Sequence, residues 1–195
     1  MSSRALMRCL IAIALLGLLS ACEELETARQ RATTSLRAVI PFPTSAGYWA
    51  GDGVRGSPKI VVHLKEQKAY FYKGKRLVGE STVSTGKPGF STPPGRYHVI
   101  QKDKNHISSE FGDYLDDEGN VVKSNIDVRE DRKPPGTHFD GARMPYFMRF
   151  NGGYGMHAGY VPRYRASHGC IRLPPETAAH FFQATHEGTP VIVRE

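Results

Sequence analysis

One stretch of the sequence concentrates side chains that could do chemistry. It runs from Met156-His157-Ala158 to Ser167-His168-Gly169-Cys170-Ile171-Arg172. A cysteine nucleophile needs a base to make thiolate and a group to orient that base. It also needs backbone N–H donors aimed at the developing oxyanion. Gly169 beside Cys170 lets the backbone turn tightly and expose such donors. Arg163, Arg165 and Arg172 would favour thiolate and would hold a carboxylate, and together with His157 they would give a depressed thiol pKa. The base is His157 or His168. On a strand, a residue two positions before Cys170 points to the same face, so spacing leaves both open.

Two other readings use the same residues. His157, His168, Cys170 and His138 would supply zinc ligands. A catalytic zinc site usually shows tighter spacing, and after Cys22 the sequence has no second cysteine beside Cys170. Alternatively the histidines only satisfy hydrogen bonds in a packed interior. A His-Gly-Cys run flanked by Arg argues for reactivity instead.

The chain carries three cysteines. Cys9 falls in an apolar run from Cys9 to Leu19, preceded by Arg4 and Arg8. A positive start, a short apolar stretch and small residues at its end read as an export signal, residues 1–21. Leu19-Ser20-Ala21-Cys22 resembles the lipobox of bacterial lipoproteins, which implies cleavage before Cys22 and lipidation of its thiol. Several acyl chains would anchor the protein stably to a membrane, facing the cell wall (periplasmic where the cell has two membranes). Cys170 then stands alone, with no internal disulfide. A lone thiol in an exported protein suggests a reactive role.

The elements that must position these residues begin near residue 58. Residues 22–57 read as the lipidated cysteine and a tether, broken by Pro41, Pro43, Gly47, Gly51, Gly53 and Gly56. The domain at 58–195 opens with β-rich runs at 59–64, 68–72 and 77–85, a meander. A Pro/Gly loop spans 86–95, and a strand is expected over 96–101. Residues 102–143 are polar and poor in periodicity and read as a long insertion or flap over one end of the sheet. A strand follows at 146–150, then a bend at 151–155. A short helix is expected over 174–185, with Pro at its start and Glu176 in its first turn, and a closing strand over 190–193. The class is mainly β with one short helix.

Hydrophobic residues at 39% can build a core, which excludes wholesale disorder. Only one apolar run is long enough to matter, which excludes a polytopic membrane protein. The net charge of +7 favours anionic partners, but no Lys/Arg block suggests nucleic acid.

Ser167-His168-Gly169-Cys170-Ile171-Arg172-Leu173, with His157 upstream, resembles the signature of the L,D-transpeptidases, the YkuD-type catalytic domain. Ser84-Thr85-Gly86-Lys87 and Thr92-Pro93-Pro94-Gly95-Arg96-Tyr97 are similar to that family's central loop and next strand. The resemblance covers residues 59–194. It implies a β-sandwich-like domain with the cysteine in a groove and a short helix after the Cys motif. It implies that Cys170 attacks a peptidoglycan stem peptide and becomes a thioester, and that His157 is its base, oriented by the Ala158 carbonyl. It places His168, Gly169 and Cys170 around the oxyanion, and Ser167 and Arg172 against substrate. No metal or organic cofactor is implied. The acceptor would be an amine of another stem peptide or of a wall-linked protein, which makes the protein part of cell wall biogenesis and cell shape. Water as acceptor would instead give an L,D-carboxypeptidase or a cross-link hydrolase. A non-catalytic wall-binding lipoprotein is the other class. Two departures are visible. Ala158 stands where many members have Gly, and the short gap from His157 to Ser167 bears on acceptor choice.

Overall fold

The computed structural model describes residues 47–162 and 164–195. Within them lie β1 (Gly47–Trp49), β2 (Pro58–His63), β3 (Lys68–Lys73), β4 (Arg76–Thr82) and β5 (Gly95–His98). Next come β6 (Gln101–Leu115), β7 (Val121–Asp127), β8 (His138–Asn151), β9 (Tyr154–Ala158) and β10 (Ile171–Leu173). The helix α1 (Pro175–Ala184) and β11 (Pro190–Arg194) close the domain.

Two sheets result. One has the order β1-β4-β3-β2-β11-β5, the other β10-β9-β8-β6-β7. Among the described residues the architecture is mainly β with one short helix, in agreement with the sequence expectation.

The first sheet forms because its strands alternate. In β3, Ala69 and Phe71 are buried while Lys68, Tyr70 and Tyr72 sit on the more open face, the period of two that a pleated strand imposes. The core lies where Ile60, Val62, Phe71 and Val191 meet Met148, Met156, Ile171 and Leu173, all fully buried. Burying each such side chain contributes roughly 1.5–3 kcal/mol. Helix α1 carries Pro near its N-terminus and Glu176 in its first turn, where a missing N–H costs nothing and a carboxylate meets the positive helix end. Its Phe181 ring lies 4.9 Å from that of Phe71.

The meander, the helix and the closing strand stand where the sequence places them, within two or three residues. The strand expected at 96–101 is divided. Val99 donates its N–H to Thr189 O, while Ile100 donates to Arg149 O. The chain passes there from one sheet to the other.

The reading of 102–143 as an insertion needs correction. Most of it is β6, β7 and the first part of β8, paired in the second sheet. Its strands lack a readable alternation for two reasons. β7 is exposed along its first five residues, so no face selects apolar side chains. The β6 ladder also shifts register between Ile107 and Gly112 and again between Gly112 and Tyr114, and each slip swaps which residues face inward. The strand expected at 146–150 is the inner end of β8.

Candidate active site

His157 lies on β9 and Cys170 immediately precedes β10. The two strands run parallel, with Arg172 opposite His157 and Leu173 opposite Ala158. This pairing carries the reactive thiol back alongside the histidine strand.

The segment before Cys170 is held from the other side by residues 84–92. Arg172 N–H donates to Ser84 O at 2.9 Å, and Ser84 N–H returns to Arg172 O at 3.1 Å. Ala166 and Ser167 both donate to Thr85 O, and Lys87 N–H donates to Ser167 O at 3.0 Å. Inside this frame Gly169 adopts φ +112°, and a Cβ there would meet Tyr154 Cε1 at 2.6 Å. Only glycine fits both demands. The Ser167 hydroxyl receives the Gly169 N–H at 3.1 Å and donates to the Cys170 carbonyl.

His157 is buried, and its Nδ1 lies 2.9 Å from Ala158 O. A carbonyl oxygen only accepts, so Nδ1 carries the proton and Nε2 holds the free lone pair. Burial pushes the His157 pKa down to about 4, with Arg172 adding to the shift and the Ala158 bond opposing it. The imidazole is therefore neutral at pH 7.

The Cys170 thiol is half-buried and donates to Gly153 O across 3.7 Å. Desolvation raises its pKa, against the pull of the Gly155 amide, Arg149 and Arg172. This overturns the expected depressed thiol. The physical reason is that burial outweighs the cations, two of which are elsewhere or undescribed. Arg165 donates to Leu64 O at 3.2 Å, away from the sulfur, and Arg163 lies outside the described residues. At rest the pair is a neutral thiol and a neutral imidazole.

His168 is held differently. Its Nε2 lies 3.0 Å from Lys87 Nζ. Its ring stacks on Phe111 at 4.9 Å and meets the Phe90 ring edge-on at 4.7 Å. Burial and the Lys87 charge lower its pKa.

Cys170 borders two cavities. One, of about 520 Å³, is lined by His157, Ala158, Ser167, His168, Cys170 and Arg172, with Asp140, Arg143 and Tyr160 from surrounding strands and loop. The second, of about 300 Å³, reaches Cys170 from the side of Arg129, Arg149 and Tyr154. The cleft thus gathers six of the residues singled out in the sequence, with Gly169 behind them. His138, the fourth residue of the zinc reading, lines neither cavity. Among the described residues no three His, Cys, Asp or Glu side chains are grouped to hold a metal ion. Cys22 and the export signal lie outside the described residues. Phe111, Asp140 and Arg143 lie in the weakly patterned parts of β6 and β8 and gave no sign in the sequence, whereas Arg149 lies within the strand expected at 146–150 and was passed over there. Arg149 beside apolar Phe147, Met148 and Phe150 was the available signal, since a lone charge in a strand of large apolar residues marks a position facing something other than the core.

Residues 57–193 match the model of the YkuD L,D-transpeptidase catalytic domain. The chain belongs to this L,D-transpeptidase catalytic-domain family. It is 29% identical over 147 residues to Probable L,D-transpeptidase 3 of Mycobacterium tuberculosis, covering 74% of this chain and 48% of that protein. The chain therefore spans about half the length of that relative. L,D-transpeptidase 1 of the same organism is 25% identical over 199 residues, covering 86% of this chain and 74% of that protein. Among solved structures, an L,D-transpeptidase from Mycobacterium smegmatis superposes with TM-score 0.54 at 20% identity, covering 71% of this chain and 59% of the other. An Enterococcus faecium L,D-transpeptidase mutant superposes with TM-score 0.52 at 24% identity, covering 72% and 50%. These superpositions establish a shared L,D-transpeptidase fold.

Proposed function

We propose that the protein is a peptidoglycan L,D-transpeptidase with Cys170 as nucleophile and His157 as its base. The observation that carries this reading is that the Cys170 thiol and the oriented His157 ring open on one cleft, within a domain of this family.

The chemistry follows from the protonation states. As Cys170 Sγ attacks the carbonyl of the L,D bond in a donor stem peptide, its proton passes to His157 Nε2. The tetrahedral oxyanion is received by main-chain N–H at the Cys170 turn. Collapse breaks the C–N bond, and the leaving terminal amino acid takes the proton from Nε2. The acceptor amine then attacks the thioester and gives its proton to Nε2. Collapse expels the Cys170 thiolate, which recovers that proton. Two cavities meeting at Cys170 support a reaction in which donor and acceptor must both reach one sulfur. Arg172, lining the larger cavity, is suited to a substrate carboxylate.

The test is mass spectrometry of tetrapeptide muropeptides incubated with the purified protein, with Cys170→Ala as control. Cys170-dependent dimers joined through their diamino acids support transpeptidation. Shortened stems without dimers would make water the acceptor, and no Cys170-dependent change would overturn an activity on stem peptides.

The lipobox-like Leu19-Ser20-Ala21-Cys22 supports a further part of the reading, export as a membrane-anchored lipoprotein. Labelled palmitate should be incorporated in the bacterial cell and lost in Cys22→Ala; equal labelling of both would exclude it.

A further inference from the structure

We propose that Thr92 is a positioning residue for the main-chain N–H that receives the oxyanion at Cys170. This rests on the reading of Cys170 as an acyl-accepting nucleophile.

Thr92 is 2% exposed and far from Cys170 in sequence. Its Oγ1 accepts the Gly86 N–H at 3.0 Å and donates to the Gly169 carbonyl at 2.7 Å. The direction of both bonds is fixed, since an amide only donates and a carbonyl only accepts. The turn delivering this hydroxyl is closed tightly. A Cβ on Gly86 would lie 1.9 Å from Phe90 O.

The Gly169–Cys170 peptide is trans. In a trans peptide the N–H points opposite to the carbonyl. With Gly169 O drawn toward Thr92, the Cys170 N–H must point away from Thr92. Among the described residues no acceptor takes that N–H. The neighbouring Gly169 N–H is already given to Ser167 Oγ, which removes it from the donors that the sequence resemblance implied. The Cys170 N–H is thus the donor left free beside Sγ.

Gly169 explains why such a pin is needed. A glycine has little intrinsic preference among backbone basins, so the plane it shares with Cys170 would otherwise rotate cheaply. Ser167 holds the plane on one side of that peptide through Gly169 N–H, and its hydroxyl also holds the next carbonyl, that of Cys170. Thr92 supplies the remaining constraint.

The test compares two reactions at the same sulfur of the full chain. Acylation by p-nitrophenyl acetate passes through a tetrahedral oxyanion, whereas alkylation by iodoacetamide does not. Each is followed as the mass gain of the Cys170 peptide. Thr92→Val keeps the shape and removes the hydroxyl. It should slow acylation about tenfold to a hundredfold, somewhat less than deletion of an oxyanion donor itself, and leave alkylation unchanged. Thr92→Ser should keep both rates. Thr92→Ala repeats the test should Val destabilise the fold. An unchanged ratio of acylation to alkylation in Val and Ala would overturn the proposal, as would a parallel fall in both rates. The stem-peptide reading fails separately, in the muropeptide assay, because this ratio needs no peptidoglycan.

Discussion

Lys87 Nζ stands 3.0 Å from Nε2 of His168, and this contact separates the two histidines near Cys170. An ammonium has no lone pair, so Lys87 donates and the His168 Nε2 lone pair is occupied. The His157 Nε2 is left as acceptor because Nδ1 is bound to Ala158 O. Replacing His157 by Gln should lower kcat/KM by about 10²–10⁴, the usual contribution of a positioned base. His168→Gln should cost distinctly less. Steady-state rates on tetrapeptide muropeptides decide, and equal losses would refute the assignment.

The pKa of His157 sets a stability trend with pH. It is about 4 in the folded protein and 6.5 as the ordinary value. Between these values the unfolded chain binds a proton that the folded chain refuses. Stability is therefore full above about pH 6.5 and falls as the pH drops toward 4. The shift corresponds to an upper bound of about 3 kcal/mol. Urea denaturation between pH 7 and pH 4 should show this loss, and His157→Gln should flatten part of the slope. An identical slope in the variant would remove His157 as its source.

The Cys170 thiol should react as a neutral, desolvated group. Its pKa is raised by burial despite Arg149 and Arg172. Iodoacetamide alkylation should climb with pH beyond the ordinary thiol range, with no plateau near neutrality. His157→Gln should leave that inflection in place, since a neutral imidazole contributes no charge. A plateau at neutral pH that disappears in His157→Gln would instead demonstrate a resting thiolate–imidazolium pair.

Much of this site was legible before the fold because its chemistry is local in sequence. His157 lies on β9, Ser167 to Arg172 lead into its parallel partner β10, and their residue types state their needs directly. What the sequence could not show is the balance between burial and charge. Arg165 reads as a neighbour of Cys170 but bonds to Leu64, so the thiol is higher than composition suggests. The choice of base also needed three dimensions, because Lys87 lies far upstream of His168. The strands β6 to β8 were obscured by register shifts along β6 and by solvent on both faces of most of β7. Phe111 therefore gave no sign that it would stack on His168.

Gly169→Ala should show how tightly the Cys170 turn is built. Two independent costs meet there. The φ of +112° strains any residue with a Cβ, at about 1–3 kcal/mol. The added carbon would also lie 2.6 Å from Tyr154 Cε1, and Tyr154 lines the smaller cavity at Cys170. The variant should melt at a lower temperature and lose most turnover, because relief moves either the Tyr154 ring or the peptide carrying Cys170. Combining it with Tyr154→Ala removes the clash but not the backbone strain. The double variant should thus be destabilised by less than the sum of the single changes, while activity stays low. Strict additivity in thermal melts would mean that Tyr154 does not bear on Gly169. Unchanged stability of Gly169→Ala alone would mean that this turn does not need its left-handed residue.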